Sequence, residues 1–272
     1  MRRRLDAELV RRGLARSREH AAELIAAGAV TVAGGPAAKA ATQVEQGAAI
    51  QVASADSGEE AYASRGAHKL AGALEALQAR GRAPQIEGLT CLDAGASTGG
   101  FTDVLLRRGA QCVHAVDVGY GQLAWRLRQD PRVQVHDRTN ARHLAPGALE
   151  PAPELVVADL SFISLKTVLP ALAAAAAPGA RFLLMVKPQF EVGKAKLPAG
   201  GVVTDKHDRA AAVAAVARAA QELGLATLDV ARSPLPGPSG NVEFFLYLAA
   251  GGEAVPVMEA IEREVWGLAA VP

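Results

Sequence analysis

The chain has 272 residues and a formal net charge of +1, and 50% of its residues are apolar. This length allows one large domain and a smaller one, with enough apolar side chains for a sizeable core. No apolar run reaches the ~18 residues that a membrane-spanning helix needs, and the opening MRRRLDAELV lacks the apolar segment of a signal peptide. We therefore expect a cytoplasmic protein that does not insert into membranes.

The first fifty residues predict a compact helix–helix–hairpin unit. Leucines one turn apart indicate a helix within residues 2–12, and Ser17 is a typical N-cap for a second helix that Gly28 ends. Short β-branched runs at 30–32 and 50–52 predict two strands, with a Gly-Gly-Pro turn after the first. Helices beside a small sheet indicate a separate α+β domain.

Arginine is concentrated in this unit, with seven arginines among the first eighteen residues against two acids. Such a cluster is either a solvated basic helix face or a surface that contacts phosphates. Its repetition across both predicted helices favours phosphate contact. The arginines that we expect to contact nucleic acid here are Arg4, Arg16 and Arg18.

The ordered strings RLD, GLARSR, LIAAG and VTV resemble the S4-like RNA-binding domain. The resemblance covers most of residues 1–53, which we take as the first domain. It implies that RNA, rather than DNA or a membrane, is the partner of the basic face. Residues 54–63, SADSGEEAYA, are small and acidic and are typical of a linker.

The second domain should extend over residues 64–272. Ser64 is the expected N-cap of a helix that runs to about Arg80 and carries Arg65 and Lys69 beside its apolar stripe. A lysine in such a position is usually only solvated, so its helix alone indicates no role for Lys69.

Strands and helices alternate from Leu89 onwards, which predicts a mostly parallel sheet covered on both faces. The predicted strands are 89–94, 111–117, 132–136, 154–159, 180–186, 226–232 and 242–249, and the predicted helices are 99–108, 120–128, 164–176, 205–223 and 253–266. The loop SPLPGPSGN has no room for a crossover helix, so the last two strands should be antiparallel neighbours. We therefore predict an α/β fold, a Rossmann-like seven-stranded methyltransferase sheet, mostly parallel with an antiparallel last strand.

The stretch LTCLDAGASTGGFTDVLL at 89–106 combines an apolar strand, a glycine-rich turn and a helical pattern. Small residues in such a turn let the backbone approach a nucleoside cofactor closely. Asp117 ends the next strand, where folds of this kind hold ribose hydroxyls. The residues of this stretch that we expect to bind the cofactor are Asp93, Gly95, Ser97, Gly99, Gly100 and Phe101.

Three enzyme classes could account for this glycine-rich turn. A dinucleotide dehydrogenase requires G-x-G-x-x-G, a pattern that Ser97 breaks. The string GASTG also matches the G-x-S-x-G nucleophile elbow of α/β hydrolases, but the only histidine beyond His143 is His207, in a charged segment. An S-adenosylmethionine methyltransferase has no pyrophosphate to bind and tolerates a looser turn, so it is favoured. A fold without catalytic activity stays open as a fourth interpretation.

Charged residues follow the apolar strands, and ligands of open α/β sheets bind beyond these carboxyl ends. Asp159 and Lys187 each end a fully apolar strand. Glu243 interrupts the strand VEFFLYL, and because an unpaired buried carboxylate is costly we expect it to have a cationic partner. The alternatives are that Asp159 caps the next helix and that Glu243 faces solvent. Asp137 and Arg138 follow the third strand and are candidates for the adenine side of the cofactor.

In chain order, Lys69, Asp159, Lys187 and Glu243 match the lysine–aspartate–lysine–glutamate order of FtsJ-like ribose 2′-O-methyltransferases. The strings SRGAHKL, DAGASTGGFTDVLL, ADLSFISL, VKPQFE and NVEFFLYL, joined to the N-terminal domain, resemble the TlyA (hemolysin A) family. The resemblance implies S-adenosylmethionine-dependent methylation of the ribose 2′-hydroxyl of cytidine in 16S or 23S ribosomal RNA, or in both. It implies these four residues as the catalytic set, with Asp159 also near the cofactor.

The resemblance further implies Arg65 as an RNA contact, ribosomal RNA or ribosomal subunits as the partner, and no metal. The linker position that is often tryptophan in this family is Tyr62 here. Lys187 is our candidate to orient the hydroxyl or to take its proton. Two other functions stay open: a catalytically inert RNA-binding adaptor in ribosome assembly, and a membrane-active hemolysin, although the sequence contains no pore-forming segment.

Overall fold

The computed structural model describes residues 2–15, 17–26, 28–45, 47–52, 62–193, 196–251 and 254–267. Within these ranges a small α+β unit precedes a larger α/β unit, and no helix is long and apolar enough to cross a membrane. Arg16 and most of the predicted linker lie outside the described residues.

The N-terminal unit packs two helices against short antiparallel strands. Its elements are β1 (Arg2–Arg4), α1 (Leu5–Arg11), α2 (Arg18–Ala26), β2 (Val30–Val32), β3 (Gly35–Pro36), β4 (Gln43–Glu45) and β5 (Ile50–Val52). β1 pairs with β4, and β2 lies between β3 and β5. Leu5 and Leu9, one turn apart on α1, are fully buried in its core.

The N-terminal unit differs from the prediction at the start of the first helix, at β3, which occupies part of the predicted Gly-Gly-Pro turn, and at β4, which was not predicted. The first helix begins at Leu5, because the preceding three arginines form a strand paired with residues 43–45. A three-residue pairing of this kind depends on a distant partner and leaves no periodic signal in the sequence. Ser17 does cap the second helix, since its Oγ accepts the His20 N–H at 3.2 Å.

The larger unit is a seven-stranded sheet with helices on both faces. Its elements are α3 (Gly66–Ala79), β6 (Thr90–Ala94), α4 (Gly100–Arg107), β7 (Cys112–Val116), α5 (Trp125–Arg128), β8 (Val133–His136), a 3₁₀ turn (Ala141–His143), β9 (Leu155–Ala158), α6 (Leu165–Ala175), β10 (Arg181–Val186), α7 (Pro188–Glu191), α8 (Lys206–Glu222), β11 (Leu225–Arg232), β12 (Phe244–Ala250) and α9 (Val257–Trp266). The strand order is β11-β12-β10-β9-β6-β7-β8. This confirms the predicted sheet.

The last strand is reversed, as predicted. β12 inserts between β10 and β11 and pairs antiparallel with both, whereas β10, β9, β6, β7 and β8 pair in parallel. Successive strand residues point to opposite faces. Leu184 therefore packs with α6, α8 and α9, while Leu183 packs with α3 and α4. Both faces are covered, as expected for a parallel sheet.

Four helices differ from the prediction. The segment 120–128 is helical only over its last four residues, and Gly121, with φ +65°, lies in the loop before them. α9 begins at Val257, directly after Pro256. The short helix α7 was not predicted, because its four residues are too few for a periodic pattern. α3 begins at Gly66 with Arg65 at its N-cap position and no side-chain cap, so the prediction of Ser64 as its N-cap is wrong.

Candidate active site

A cleft of about 350 Å³ opens at the carboxyl ends of the central parallel strands. The N-terminus of α3, the turn after β6, the segments after β9 and β10, and the loop before β12 form its walls. The lining residues are Ser64, Arg65, Gly66, Lys69, Asp93, Gly95, Ala96, Ser97, Thr98, Gly100, Phe101, Asp159, Ser161, Lys187, Pro236 and Pro238. The cleft therefore lies where the sequence predicted a ligand.

Two glycines of the turn are required by close backbone contacts. Gly95 has φ +86°, and a Cβ placed on it would lie 2.6 Å from the Asp159 carbonyl oxygen. A Cβ on Gly100 would meet the Ser64 side chain and would lie 2.8 Å from the Ala67 nitrogen. The first contact brings the turn against the end of β9, and the second brings the start of α3 against α4.

Asp93 is buried at the floor of the cleft. Its Oδ2 accepts hydrogen bonds from the backbone nitrogen and the hydroxyl of Thr102, at 2.8 and 2.7 Å. Its Oδ1 has no hydrogen-bond partner among the described residues. Burial raises the pKa of Asp93 to about 7, although the Thr102 hydrogen bonds oppose this. The unpaired oxygen is suited to a cationic or N–H group of a ligand.

Lys187 contacts two side chains of the segment that follows the neighbouring strand β9. It follows β10 and is buried, and its Nζ lies 2.5 Å from Asp159 Oδ1. The same ammonium donates a hydrogen bond to the Ser161 hydroxyl at 3.0 Å. Pro188 begins α7 at once, which fixes the backbone direction after the lysine. Asp159 therefore pairs with a lysine and does not cap α6.

Lys69 and Glu243 form a second buried pair. Lys69 Nζ donates to Glu243 Oε2 at 2.5 Å, and the Glu243 side chain has no exposed surface. A Cβ on Gly237 would lie 2.6 Å from Glu243 Oε1, so the loop before β12 covers the carboxylate closely. The cationic partner predicted for Glu243 is thus Lys69, and the alternative of a solvent-facing glutamate is wrong.

All four residues of the predicted catalytic set therefore meet at one site. Lys69, Asp159 and Lys187 line the cleft, and Glu243 lies directly behind Lys69. Ser161 was not predicted as a site residue. Its only signal in the sequence is its place in the string ADLSFISL.

Four predicted cofactor residues lie outside the cleft lining, and one of them, Arg138, places its guanidinium 4.5 Å from the centroid of the Tyr120 ring. Gly99 has φ +94° and faces Leu127, so it is needed for packing as well as for the turn. Asp117 lies beside the cleft, since its Oδ2 accepts the Ser97 N–H at 2.8 Å. Asp137 pairs with Arg128 at 2.7 Å. Each carboxylate keeps further lone pairs, and their contact with a cofactor stays a prediction.

The hydrolase interpretation does not survive the geometry. Ser97 does adopt the strained φ of +49° that a nucleophile elbow would have. Its hydroxyl, however, lies 3.4 Å from Gln122 Oε1, and no histidine is among the described residues that line the cleft.

Two further side chains flank the cleft. Arg65 lines it and is exposed. Phe162, three residues after Asp159, is 91% exposed at φ +64°, and its ring centroid lies 5.4 Å from that of Phe190. A large aromatic ring that is exposed on a strained backbone is unusual. Phe162 directly follows Ser161, which lines the cleft.

Buried acids organise the arginines of the N-terminal unit. Asp6 accepts two hydrogen bonds from Arg4, at 3.1 and 2.9 Å, and one from Arg18 at 2.8 Å. The Arg4 hydrogen bonds hold the pKa of Asp6 well below its usual range. Glu8 similarly forms ion pairs with Arg11, the last residue of α1, and with Arg12, which follows it. The Arg11 hydrogen bond is the main cause that lowers the pKa of Glu8 to about 2. The side chains of Arg4 and Arg18 stay 46% and 57% exposed.

The fold and the cleft define a methyltransferase domain joined to an RNA-binding domain. Residues 62–250 match the FtsJ-like methyltransferase family, and residues 3–50 match the S4 domain.

Comparison with related proteins shows to which family of methyltransferases the chain belongs. The chain is 62% identical over 245 residues to the 16S/23S rRNA (cytidine-2′-O)-methyltransferase TlyA of Mycobacterium tuberculosis, covering 90% of this chain and 89% of that protein. It is 31% identical over 245 residues to Hemolysin A of Brachyspira hyodysenteriae, covering 90% and 98%. A solved structure from Streptococcus thermophilus, described as a candidate hemolysin, is 33% identical with a TM-score of 0.70, covering 96% and 95%. The chain belongs to the TlyA family of FtsJ-like methyltransferases.

Proposed function

We propose that this protein transfers a methyl group from S-adenosylmethionine to the 2′-hydroxyl of a cytidine in ribosomal RNA. The observation that carries the proposal is the convergence of two buried lysine–carboxylate pairs on a cleft behind a glycine turn. The name of the M. tuberculosis relative supplies the nucleoside and the RNA. A ribosomal RNA substrate would place the enzyme in the cytoplasm.

Several features of the cleft support S-adenosylmethionine as the cofactor. When bound, this cofactor supplies a methyl group activated on a sulfonium sulfur. The unpaired Oδ1 of Asp93 would receive the ammonium of its methionine part, and Gly95 and Ser97 would face it across the turn. Asp117 beside Ser97 would accept from the ribose hydroxyls, with Asp137 and Arg138 towards the adenine.

The chain's own residues would position the hydroxyl and manage its proton. A ribose hydroxyl is a weak nucleophile until its proton is withdrawn. We assign Lys187 Nζ to orient the 2′-oxygen. After it has released a proton to solvent, the neutral amine would accept the hydroxyl proton as the carbon–oxygen bond forms and the methyl–sulfur bond breaks, which leaves S-adenosylhomocysteine. Asp159 and Ser161 hold this nitrogen in place, at 2.5 and 3.0 Å. The Lys69–Glu243 pair fixes a second ammonium in the same cleft. Fixed geometry of this kind supplies a large part of the acceleration in a displacement reaction.

The RNA would be held by two surfaces. The exposed arginines Arg4 and Arg18 of the N-terminal unit suit phosphate contacts, as does Arg65 beside the cleft. Phe162 suits stacking on an unpaired base, the usual way in which proteins hold single-stranded RNA.

The test incubates the pure protein with labelled S-adenosylmethionine and either isolated ribosomal subunits or ribosomal RNA. A Lys187→Ala variant is run beside it, and the modified nucleotide is mapped. We expect label at a cytidine 2′-oxygen, lost by at least about a hundredfold in the variant, which is the usual loss on removing a general base. Cofactor binding by the variant is measured separately and should be retained.

The contrary results have distinct meanings. Full transfer by a Lys187→Ala enzyme would remove the lysine from the reaction. Cofactor binding without label on any ribosomal RNA would favour the adaptor function. Leakage of dye from liposomes on addition of the pure protein would favour the hemolysin function.

A further inference from the structure

The buried carboxylate of Glu191 joins the two segments that carry Lys187 and Asp159. Glu191 ends α7, four residues after Lys187, and is only 8% exposed. Its Oε1 accepts a hydrogen bond from the backbone N–H of Leu165 at 2.7 Å, and its Oε2 accepts one from the Ser164 hydroxyl at 2.6 Å. Both partners begin α6, the helix that follows the Asp159 segment. Glu191 itself does not line the cleft.

Glu191 acts as the N-cap of a helix to which it does not belong. The first turn of every α-helix has backbone N–H groups without intrahelical partners, and negative charge is favourable there. Ser164 occupies the N-cap position of α6, but its side chain makes no capping hydrogen bond to its own helix. The carboxylate of α7 supplies this cap instead. As a result α6 and α7 are fastened together at their ends.

This cap controls a short loop of the active site. Residues 160–163 connect β9 to α6, and the sheet fixes one end of this loop while the start of α6 fixes the other. Within the loop, Ser161 accepts the hydrogen bond from Lys187, and Phe162 holds its left-handed backbone. A left-handed backbone is unfavourable for a residue other than glycine, so the surrounding contacts must hold Phe162 there.

We propose that Glu191 is a positioning residue for methyl transfer. By capping α6 from α7, it holds the loop 160–163 so that Ser161 stays against the Lys187 ammonium and Phe162 stays at the cleft entrance. The inference rests on the proposed function, because it assigns Glu191 to the same reaction. Burial raises the pKa of Glu191, while the Ser164 and Leu165 hydrogen bonds oppose that rise and favour its charged form.

The test separates positioning from simple helix capping by means of a matched control. Asp205 caps α8 in the ordinary way, accepting from the backbone nitrogens of His207 and Asp208 at 2.6 and 3.1 Å, and it is exposed. Both Glu191→Ala and Asp205→Ala remove a cap, so both should lower the melting temperature. Only Glu191→Ala should lower kcat for methyl transfer to ribosomal RNA, by about tenfold or more, since misplacement of reacting groups costs rate.

Two further measurements test the positioning role of Glu191. The affinity for S-adenosylmethionine should stay within about twofold of the wild-type value in Glu191→Ala, since the glycine turn and Asp93 are untouched. Glu191→Gln should restore most of kcat, because its amide oxygen can accept from Leu165 and its amide N–H can donate to the Ser164 hydroxyl. An effect of capping alone would not produce this split between kcat and cofactor affinity.

The outcomes that overturn the inference are specific. An unchanged kcat in Glu191→Ala, or an equal loss in Asp205→Ala, would reduce Glu191 to an ordinary helix cap. If Glu191→Ala does not fold, Ser164→Ala takes its place, since it removes one of the two hydrogen bonds; an unchanged kcat there would overturn the inference equally. A wild-type protein that methylates no ribosomal RNA would instead overturn the proposed function, and the role of Glu191 with it.

Discussion

At the scale of single residues, charge is buried around the cleft almost entirely in pairs. Lys69 with Glu243 and Lys187 with Asp159 each bring a cation and an anion within 2.5 Å. Replacing buried ion pairs with apolar residues often leaves a protein as stable or more stable, so such pairs are weak evidence of stabilisation. Their convergence on one cleft is better explained by chemistry. Asp93 differs, because its carboxylate has no ion-pair partner among the described residues and accepts hydrogen bonds from Thr102 instead.

The raised pKa of Asp93 makes cofactor binding depend on pH. With a pKa of about 7, most of the carboxyl is neutral at pH 6 and most is ionised above pH 7.4. Only the ionised form can pair with the ammonium of S-adenosylmethionine, and that ammonium begins to lose its own proton near pH 8. We therefore expect the affinity to rise roughly fivefold between pH 6 and 7.4, since apparent affinity scales with the competent fraction. Titration calorimetry at several pH values measures this directly.

An Asp93→Asn variant is the control for this dependence. Its amide oxygen can still accept from Thr102, but the side chain no longer titrates. Binding should be weaker and nearly independent of pH across the same range. A wild-type affinity that does not change between pH 6 and 7.4 would show that Asp93 does not meet the ammonium.

At the scale of elements, the site depends on how closely the turn after β6 approaches the end of β9. Gly95→Ala would place a methyl group 2.6 Å from the Asp159 carbonyl oxygen, at a φ of +86°. The left-handed backbone costs about 1–2 kcal/mol and the clash about 1–3 kcal/mol more. Gly147 has a similar φ of +74°, and a Cβ placed on it would have no atom within 4 Å. Gly147→Ala should therefore lower the free energy of unfolding only by the amount due to the left-handed backbone.

Urea unfolding of the two variants separates backbone strain from steric clash. The difference in the free energy of unfolding between Gly95→Ala and Gly147→Ala should be about 1–3 kcal/mol. Gly95→Ala should also bind S-adenosylmethionine more weakly, whereas Gly147→Ala should bind it normally. Equal destabilisation of both variants would mean that the turn can move away from β9 without cost.

The sequence predicted the sheet well because its strands are apolar runs bounded by turn residues. β9 and β10 are buried along nearly their whole length, and the charged residues that follow them mark the ligand edge. Two residues of the predicted catalytic set, Asp159 and Lys187, could be located in this way. Lys69 could not, since a lysine at the edge of a helical stripe is ordinarily solvated. Its assignment came from the resemblance to a family.

The features that the sequence did not predict arise from tertiary contacts between short segments. β1 exists only through its pairing with residues 43–45, and α7 is a single turn. Glu191 lies on α7, which follows β10, and Ser161 lies in the loop after β9, so the positions of both depend on the sheet. The one hint for Glu191 was an acid shortly after a buried strand, and such an acid is more often exposed.

At the scale of the whole molecule, a net charge of +1 conceals a division between two units. The N-terminal unit concentrates arginines whose side chains are fixed by buried acids yet remain about half exposed. The larger unit holds two buried lysine–carboxylate pairs at the cleft. The part of the RNA affinity that the N-terminal arginines supply should therefore be separable from methyl transfer by mutation, because these arginines and the cleft belong to different units.

Arg18 offers the cleanest test of this separation. It donates one hydrogen bond to Asp6, but Arg4 makes two to the same carboxylate, so Asp6 stays paired when Arg18 is removed. Arg18→Ala should therefore fold. If Arg18 contacts a phosphate, the slope of log affinity for ribosomal RNA against log salt should fall by about 1, and KM for RNA should rise several-fold. The affinity for S-adenosylmethionine and kcat at saturating RNA should not change.

Arg218→Ala is the matched control, since Arg218 is an exposed arginine on α8 of the larger unit and its removal also lowers the net charge by one. A general electrostatic attraction would weaken RNA binding equally in both variants, because it depends on the total charge. A specific phosphate contact would weaken it only in Arg18→Ala. A loss of kcat in Arg18→Ala at saturating RNA would contradict the separation, because the N-terminal unit would then act on the reacting groups as well as on affinity.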